Sequence, residues 1–407
     1  MENKNTTNNK DQTEYENEIP QTHQNYLSKR GIIFTLIGLF LTILLAVHFF
    51  STFIHEIEMS PDGKRVILPS RQNSNETNRP TTFPIATKNQ SSFPPTPDQK
   101  VLANSYHIFQ SFNNCGPAAL SMALSYFDIS ATQAELGQAL RPYQNPNGDN
   151  DDKSVTLEEI ATYANEKYGL TAYRRPMGDM ATIKQFIAND IPVITRTWLK
   201  QDDDIGHFRI IKGYNDTRGI IIQDDSYQGK NLEYTYDDFM SIWKKFNYEY
   251  LVLVPKNKES VAKLILNENI DEKIAWRRAI TNSEKDLKIN PNDFYAGFNL
   301  SVAYYEIGYY QKSVEEYEKI KEILPFRTLW YQIEPLKALY EIKRYDELLD
   351  ITGRILSNQN RAYSELYIIR GDIYKAQNNT TLARAEYEKA VQYNSHLTLA
   401  QNKLDSL

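Results

Sequence analysis

Asn113-Asn114-Cys115-Gly116-Pro117-Ala118-Ala119-Leu120 holds the single cysteine of a 407-residue chain, at a point where a loop turns into a helix. Pro117 suits the first turn, where no amide hydrogen is required, and Gly116 lets backbone come close to a substrate. At a helix start the unpaired amides and the helix dipole favour an anion, so this thiol should ionise more readily than a free one. The competing reading of a lone thiol is a small, inert, buried apolar side chain. With one cysteine, an internal disulfide and any cysteine-based zinc or iron–sulfur site are excluded.

A thiolate nucleophile needs a histidine as proton partner and a third group to orient that histidine. Between residues 101 and 256 there are two histidines, His107 and His207. His107 precedes the cysteine and reads as a loop or surface residue. His207 opens a β-like run, 207–214, and the next run, 219–223, leads into Asp224-Asp225. Joined by a turn at Asn215-Asp216, two antiparallel strands would set the start of one beside the end of the other and make His207 and Asp224 neighbours. Gln110, five residues before the cysteine, can donate its amide hydrogens to an oxyanion. Helices are expected over 115–127 and 131–139, from a Thr156–Glu159 capping box to Gly169, and from Asp179 to Asn189. Further β-like runs follow at 191–198 and 249–254. Helices first and strands later indicate an α+β domain with an antiparallel sheet.

Three stretches, NNCGPAALSMAL, GHFRIIKGYND and IIIQDDSYQG, resemble the motifs of bacteriocin-leader-peptidase-like domains, a branch of the papain-like cysteine peptidases. The likeness spans residues 101–256, in the order Cys, His, Asp. It implies Cys115 as nucleophile, His207 as general base and acid, Asp224 as orienting carboxylate and Gln110 as oxyanion donor. Relatives often carry Asp-Pro where this chain has Asp224-Asp225, so Asp225 stays open as the partner of His207. The Gln-to-Cys spacing is also one residue shorter than is common in papain-like enzymes. Leader processing itself is not implied, because the namesakes are fused to an export ATPase and no phosphate loop ending in Lys-Ser or Lys-Thr occurs here.

From residue 257 a repeat replaces the strands. With Phe294 as position 1, Leu300, Tyr304, Gly308, Ser313, Tyr317 and Pro325 fall at the spacing of a tetratricopeptide repeat. A second copy carries Gly371, Tyr374, Ala383, Tyr387 and Ala390, a degenerate copy lies between, and Ala279 and Pro291 fit a partial one before. Small residues at positions 8 and 20 should let a hairpin's helices approach, and the aromatic at 24 should fill the next hairpin's groove. The tyrosines of this region fit the helical period and read mostly as packing. Residues 257–407 are thus expected to form an all-α tetratricopeptide-repeat solenoid, with the resemblance over most of 260–397, which implies a protein or peptide partner.

Upstream, residues 1–31 read as a disordered cytoplasmic tail. Residues 32–54 lie in an uncharged run long enough for one transmembrane helix, and 55–100 form a Pro-, Ser- and Thr-rich stalk. Lys29 and Arg30 before the span and Glu56 and Glu58 after it place the peptidase and repeats outside the cytoplasm. The expectation is a single-pass membrane-anchored cysteine peptidase with a peptide or protein substrate. A non-catalytic peptide-binding scaffold and a thiol acyltransferase remain open. With 46 Lys and Arg against 52 Asp and Glu, a formal charge of −6, no nucleic-acid partner is indicated. Asn147, Asp149, Asp151 and Glu158 match a calcium loop except at position 6, where Asp152 replaces the required glycine, so an acidic solvated loop is favoured and no metal or cofactor is expected. Asp202-Asp203-Asp204 reads in the same way as a solvated loop, although beside the cleft it would favour basic substrates.

Overall fold

The computed structural model describes residues 95–104, 106–141, 155–325, 327–357 and 360–407. The expected tail, transmembrane helix and most of the stalk lie outside the described residues, as does most of the calcium-like loop. Among the described residues no helix is long and apolar enough to cross a membrane.

The first module runs β1 (Gln99–Val101), α1 (Cys115–Leu124), α2 (Gln133–Leu140), α3 (Leu157–Tyr168), β2 (Thr171–Arg175), α4 (Met180–Ala188), β3 (Val193–Trp198), β4 (Gly206–Asn215), β5 (Ile220–Asp225), β6 (Gly229–Thr235), α5 (Tyr236–Trp243) and β7 (Tyr250–Val254). Local chemistry sets the boundaries. Thr132 and Thr156 close capping boxes with Glu135 and Glu159, Asp179 caps α4, and Gly169 ends α3 in the left-handed region. Each such cap contributes about 1 kcal/mol. β1 already belongs to the sheet, although its first two residues read from sequence as the end of the stalk.

Among the described residues seven strands form one sheet, antiparallel throughout, six of them in the order β2-β7-β3-β4-β5-β6 and the seventh, β1, beside β4. β4 shares one edge between two partners, β3 beside its first half and β1 beside its second. Successive side chains alternate between two buried faces. Ile194, Phe208, Ile210, Leu251 and Leu253 pack under α1, α2 and α3, whereas Val193, Ile211, Ile221, Val252 and Val254 pack under α4 and α5. The sheet is therefore covered on both sides, which is why β7 is apolar at every position.

The chain continues through α6 (Glu259–Leu266), which closes the second face, and then α7 (Glu272–Ile289), α8 (Phe294–Glu306), α9 (Tyr310–Ile320), α10 (Thr328–Tyr331), α11 (Glu334–Glu341), α12 (Tyr345–Ser357), α13 (Ser364–Ala376), α14 (Thr380–Tyr393) and α15 (Thr398–Asp405). The pairs α8–α9, α11–α12 and α13–α14 are the helical hairpins expected from the repeat spacing. One detail differs. Tyr387, at position 24, lies over Gly371 of its own hairpin and donates to Asp372 Oδ1 at 2.6 Å, instead of filling the next hairpin's groove. A glycine at position 8 leaves room for a ring from the facing helix, so the contact closes locally.

The modules meet through an aromatic cluster. Trp198 at the end of β3 packs edge-on against Phe246, Tyr295 and Tyr331 at 4.8, 6.1 and 5.6 Å between ring centres. Ion pairs flank it. Arg174 of β2 reaches Glu306 at 3.0 Å, Arg327 reaches Asp204 at 2.6 Å, and Lys244 bonds Asp286 and Asp293 at 3.0 Å. Asp204 of the acidic run is thus part of the seam.

Candidate active site

Cys115 opens α1, and among the described residues no side chain caps that helix start. Asn114 before it bonds Ser111 Oγ at 3.0 Å, and Asn113 has φ +58, a left-handed turn whose carbonyl accepts from the buried Arg141. These contacts fix the loop that presents the thiol. Gly116 answers to packing as well. A Cβ there would lie 2.1 Å from the Val155 side chain, so the glycine allows α1 to seat against its own module.

His207 is buried at the start of β4 and lies within hydrogen-bonding reach of Cys115. Its Nε2 donates to Asp225 Oδ1 at 2.8 Å, which leaves Nδ1 for the thiol. The same Oδ1 accepts the amides of Tyr227 at 2.7 Å and Gln228 at 2.8 Å. Arg209 Nε lies 3.3 Å from Oδ2, a charge contact without the alignment of a hydrogen bond. Arg209 is itself pinned to the carbonyls of Trp198 and Leu199 at 3.0 and 2.7 Å.

The expected partner, Asp224, is corrected by this geometry. Arg209 stands directly opposite Asp225 and Ile210 opposite Asp224, and His207 shares the face of Arg209. Asp224 therefore points to the other face, where Lys212 Nζ meets its Oδ1 and Oδ2 at 2.7 Å and the Asn231 amide donates to Oδ1 at 2.8 Å. It makes a buried structural pair and does not touch the histidine.

Gln110 is held beside Asp225's neighbour. Its backbone amide donates to Ser226 O and its Oε1 accepts from Ser226 Oγ, both at 2.8 Å. With Oε1 engaged, Nε2 is the donating end of the amide. His107 is half-buried rather than loose on the surface. Its Nε2 donates to the Asp225 carbonyl at 2.9 Å and its ring meets Phe109 edge-on. Asp225 is thus braced at side chain and backbone together. Strand alternation from His207 could have indicated Arg209, but His107 and Arg141 gave no local signal.

The electrostatics of the pair agree in direction. Burial pushes the Cys115 thiol up, yet the His207 hydrogen bond and the charges of His207, Arg141 and Arg196 outweigh it and hold the thiol below its ordinary value. Burial pulls the His207 imidazole down, and its bonds to Asp225 and Cys115 bring it above its ordinary value. Asp225, pushed up by burial, is brought below the usual carboxylate range by the His207 hydrogen bond and charge, with Arg209 adding to them. Such an arrangement favours thiolate beside imidazolium, the reactive form for attack on an acyl carbon. Among the described residues no cluster of His, Cys, Asp and Glu is arranged to hold a metal ion.

Residues 85–251 match the family model described as Peptidase_C39 like, and residues 364–396 match the tetratricopeptide repeat. No curated protein matches. Among solved structures, a Bacillus anthracis protein described as C39-like shares 13% identity over 39% of this chain and 98% of its own, with a TM-score of 0.33. Two structures of MamA share 22% and 20% identity over 32% and 36% of this chain and 76% and 80% of theirs, each at a TM-score of 0.30.

Proposed function

From a chain that carries a Peptidase_C39-like domain and a tetratricopeptide repeat, we propose a cysteine peptidase, anchored in a membrane through residues 32–54, whose repeats bind a protein or peptide. The observation that carries it is the buried Cys115–His207–Asp225 relay, with all three groups shifted toward the thiolate–imidazolium form. Cys115 Sγ attacks the carbonyl carbon of a peptide bond. The oxyanion takes hydrogen bonds from Gln110 Nε2 and the amide at the start of α1. His207 gives its proton to the leaving amine, so the C–N bond breaks and a thioester remains. Water, deprotonated by His207, then attacks the thioester, releases the acid and restores the thiol. Asp225 holds the imidazole in the tautomer this sequence needs and stabilises its charge.

The test is alkylation of Cys115 by iodoacetamide in the full chain as a function of pH. With the thiol held below its ordinary value, the rate should rise at a lower pH than that of an ordinary thiol. In His207→Ala the rise should move up toward the range of an ordinary thiol, with a loss of roughly tenfold or more in rate near pH 6. Identical profiles for the two chains would overturn the peptidase assignment.

A further inference from the structure

Where the modules meet, a cavity of ≈ 430 Å³ is walled by Arg174, Arg196 and Glu249 on the sheet side and by Glu306, Tyr331 and Glu334 on the repeat side. On its wall Glu158, Glu249, Glu272, Glu306 and Glu334 stand with three cations, Arg174, Arg196 and Lys337. Arg174 already serves Glu249 at 2.6 Å and Glu306 at 3.0 Å, with Glu272 and Glu158 farther off. Lys337 reaches Glu334 only at 3.9 Å, and Glu334 Oε2 is buried with no hydrogen-bond partner among the described residues. The wall thus carries more negative charge than its own cations neutralise.

Arg196 supplies an independent observation. It is 1% exposed, and its Nε and Nη2 have no hydrogen-bond partner among the described residues. Its guanidinium sits over the rings of Phe246 and Tyr331 at 5.1 and 5.4 Å. A buried guanidinium whose donors lack protein acceptors, on the wall of a cavity, fits an acceptor brought by a ligand. The same residues link the cavity to the thiol. Both Arg196 and Tyr331 line it, both interact with the charge on Cys115, and the Tyr331 ring lies against Gly206, the residue before His207.

We propose that this cavity is a specificity pocket for a basic side chain, lysine or arginine, of the peptide cut at Cys115. Arg196 donates to a carbonyl oxygen of that peptide, and Glu334 and Glu306 face its cation. A carboxylate ligand would satisfy Arg196 equally well but would meet the surplus glutamates at short range, so the cation is favoured. The proposal rests on the peptidase reading, and its test is kept separate from it.

Fluorescein-labelled pentapeptides Ala-Ala-X-Ala-Ala, with X as arginine, norleucine or glutamate, are titrated into the full chain carrying Cys115→Ala. Arginine should bind at least tenfold tighter than norleucine, and glutamate more weakly than norleucine. Adding Glu334→Gln should cut the arginine preference at least threefold, with Glu306→Gln as the second variant should the first fail to fold. Equal binding of arginine and norleucine, a preference for glutamate, or a preference untouched in a folded variant would overturn the pocket. Arginine preference together with an unactivated Cys115 in the alkylation assay would sustain a basic-peptide site and refute the peptidase. An activated thiol without arginine preference would refute the pocket alone.

Discussion

Asp224 and Asp225 meet opposite fates because consecutive residues of a strand point to opposite faces. Asp225 accepts the His207 proton donor, and Asp224 accepts Lys212 on the far side. The two can be separated by paired substitutions. Asp225→Asn keeps an acceptor near Nε2 but removes the charge that supports the imidazolium, so His207 should titrate lower and the thiol higher. Peptide turnover should fall by roughly 10²–10⁴-fold, with the rise in iodoacetamide reactivity moved to higher pH. Asp224→Asn leaves the buried Lys212 ammonium without its charge partner. That change should cost about 3 kcal/mol, read as a lower Tm, while the alkylation profile keeps its shape. The reverse pattern, an altered profile in Asp224→Asn and none in Asp225→Asn, would return the orienting role to Asp224.

A single bulge in β4 decides which aspartate faces the histidine. Near the turn, Asn215 pairs with Ile220, Tyr214 with Ile221 and Gly213 with Ile222, a register that extended to the site would put Asp224 on the His207 face. Between Ile211 and Gly213 the register shifts by one residue, with Lys212 unpaired, and beyond it Arg209 stands opposite Asp225. A one-residue slip exchanges the faces of every later side chain. The motif, the turn and the pairing of β4 with β5 were legible in the sequence, because apolar alternation and Asn-Asp chemistry are local. The bulge was not, since it depends on β1 and β3 dividing one edge of β4 between them. Strands β2 and β6 escaped for a related reason: their alternation is weak, with charged residues at Arg174 and Glu233 that only the folded surroundings pair. The start of β4 offers a test at this scale. A Cβ at Gly206 would lie 2.8 Å from the Tyr331 ring. Gly206→Ala should therefore press on the strand end that carries His207, costing about 1–3 kcal/mol and lowering kcat/KM by roughly tenfold. Adding Tyr331→Leu, which shortens the obstructing side chain, should restore part of the loss. Failure of that rescue would show that the close approach does not transmit to the histidine.

In the molecule as a whole, Arg174 stands at the centre of the contact between sheet and repeats. It faces Glu249 just before β7, Glu306 at the end of α8, Glu272 at the start of α7 and Glu158 in α3, with Glu334 of α11 close enough to act on Glu306. Burial and the charges of Glu334 and Glu249 outweigh Arg174 at Glu306 and push its carboxyl up to about 7. The sign of the linkage follows. A carboxyl that binds its proton more tightly folded than unfolded stabilises the fold most when protonated. Its contribution is complete below the ordinary value of 4.5 and is lost as the pH rises through about 7. Glu306→Gln keeps an acceptor for Arg174 and removes the excess charge, so the variant should melt higher than the parent above pH 7 by roughly 3 °C. Below pH 5 the two should coincide, because the parent's carboxyl is then neutral as well. Other titrating groups are common to both chains and cancel in the difference of the two Tm curves. A constant gap across pH 4.5 to 8 would mean that Glu306 is ionised throughout and that Arg174 balances it fully.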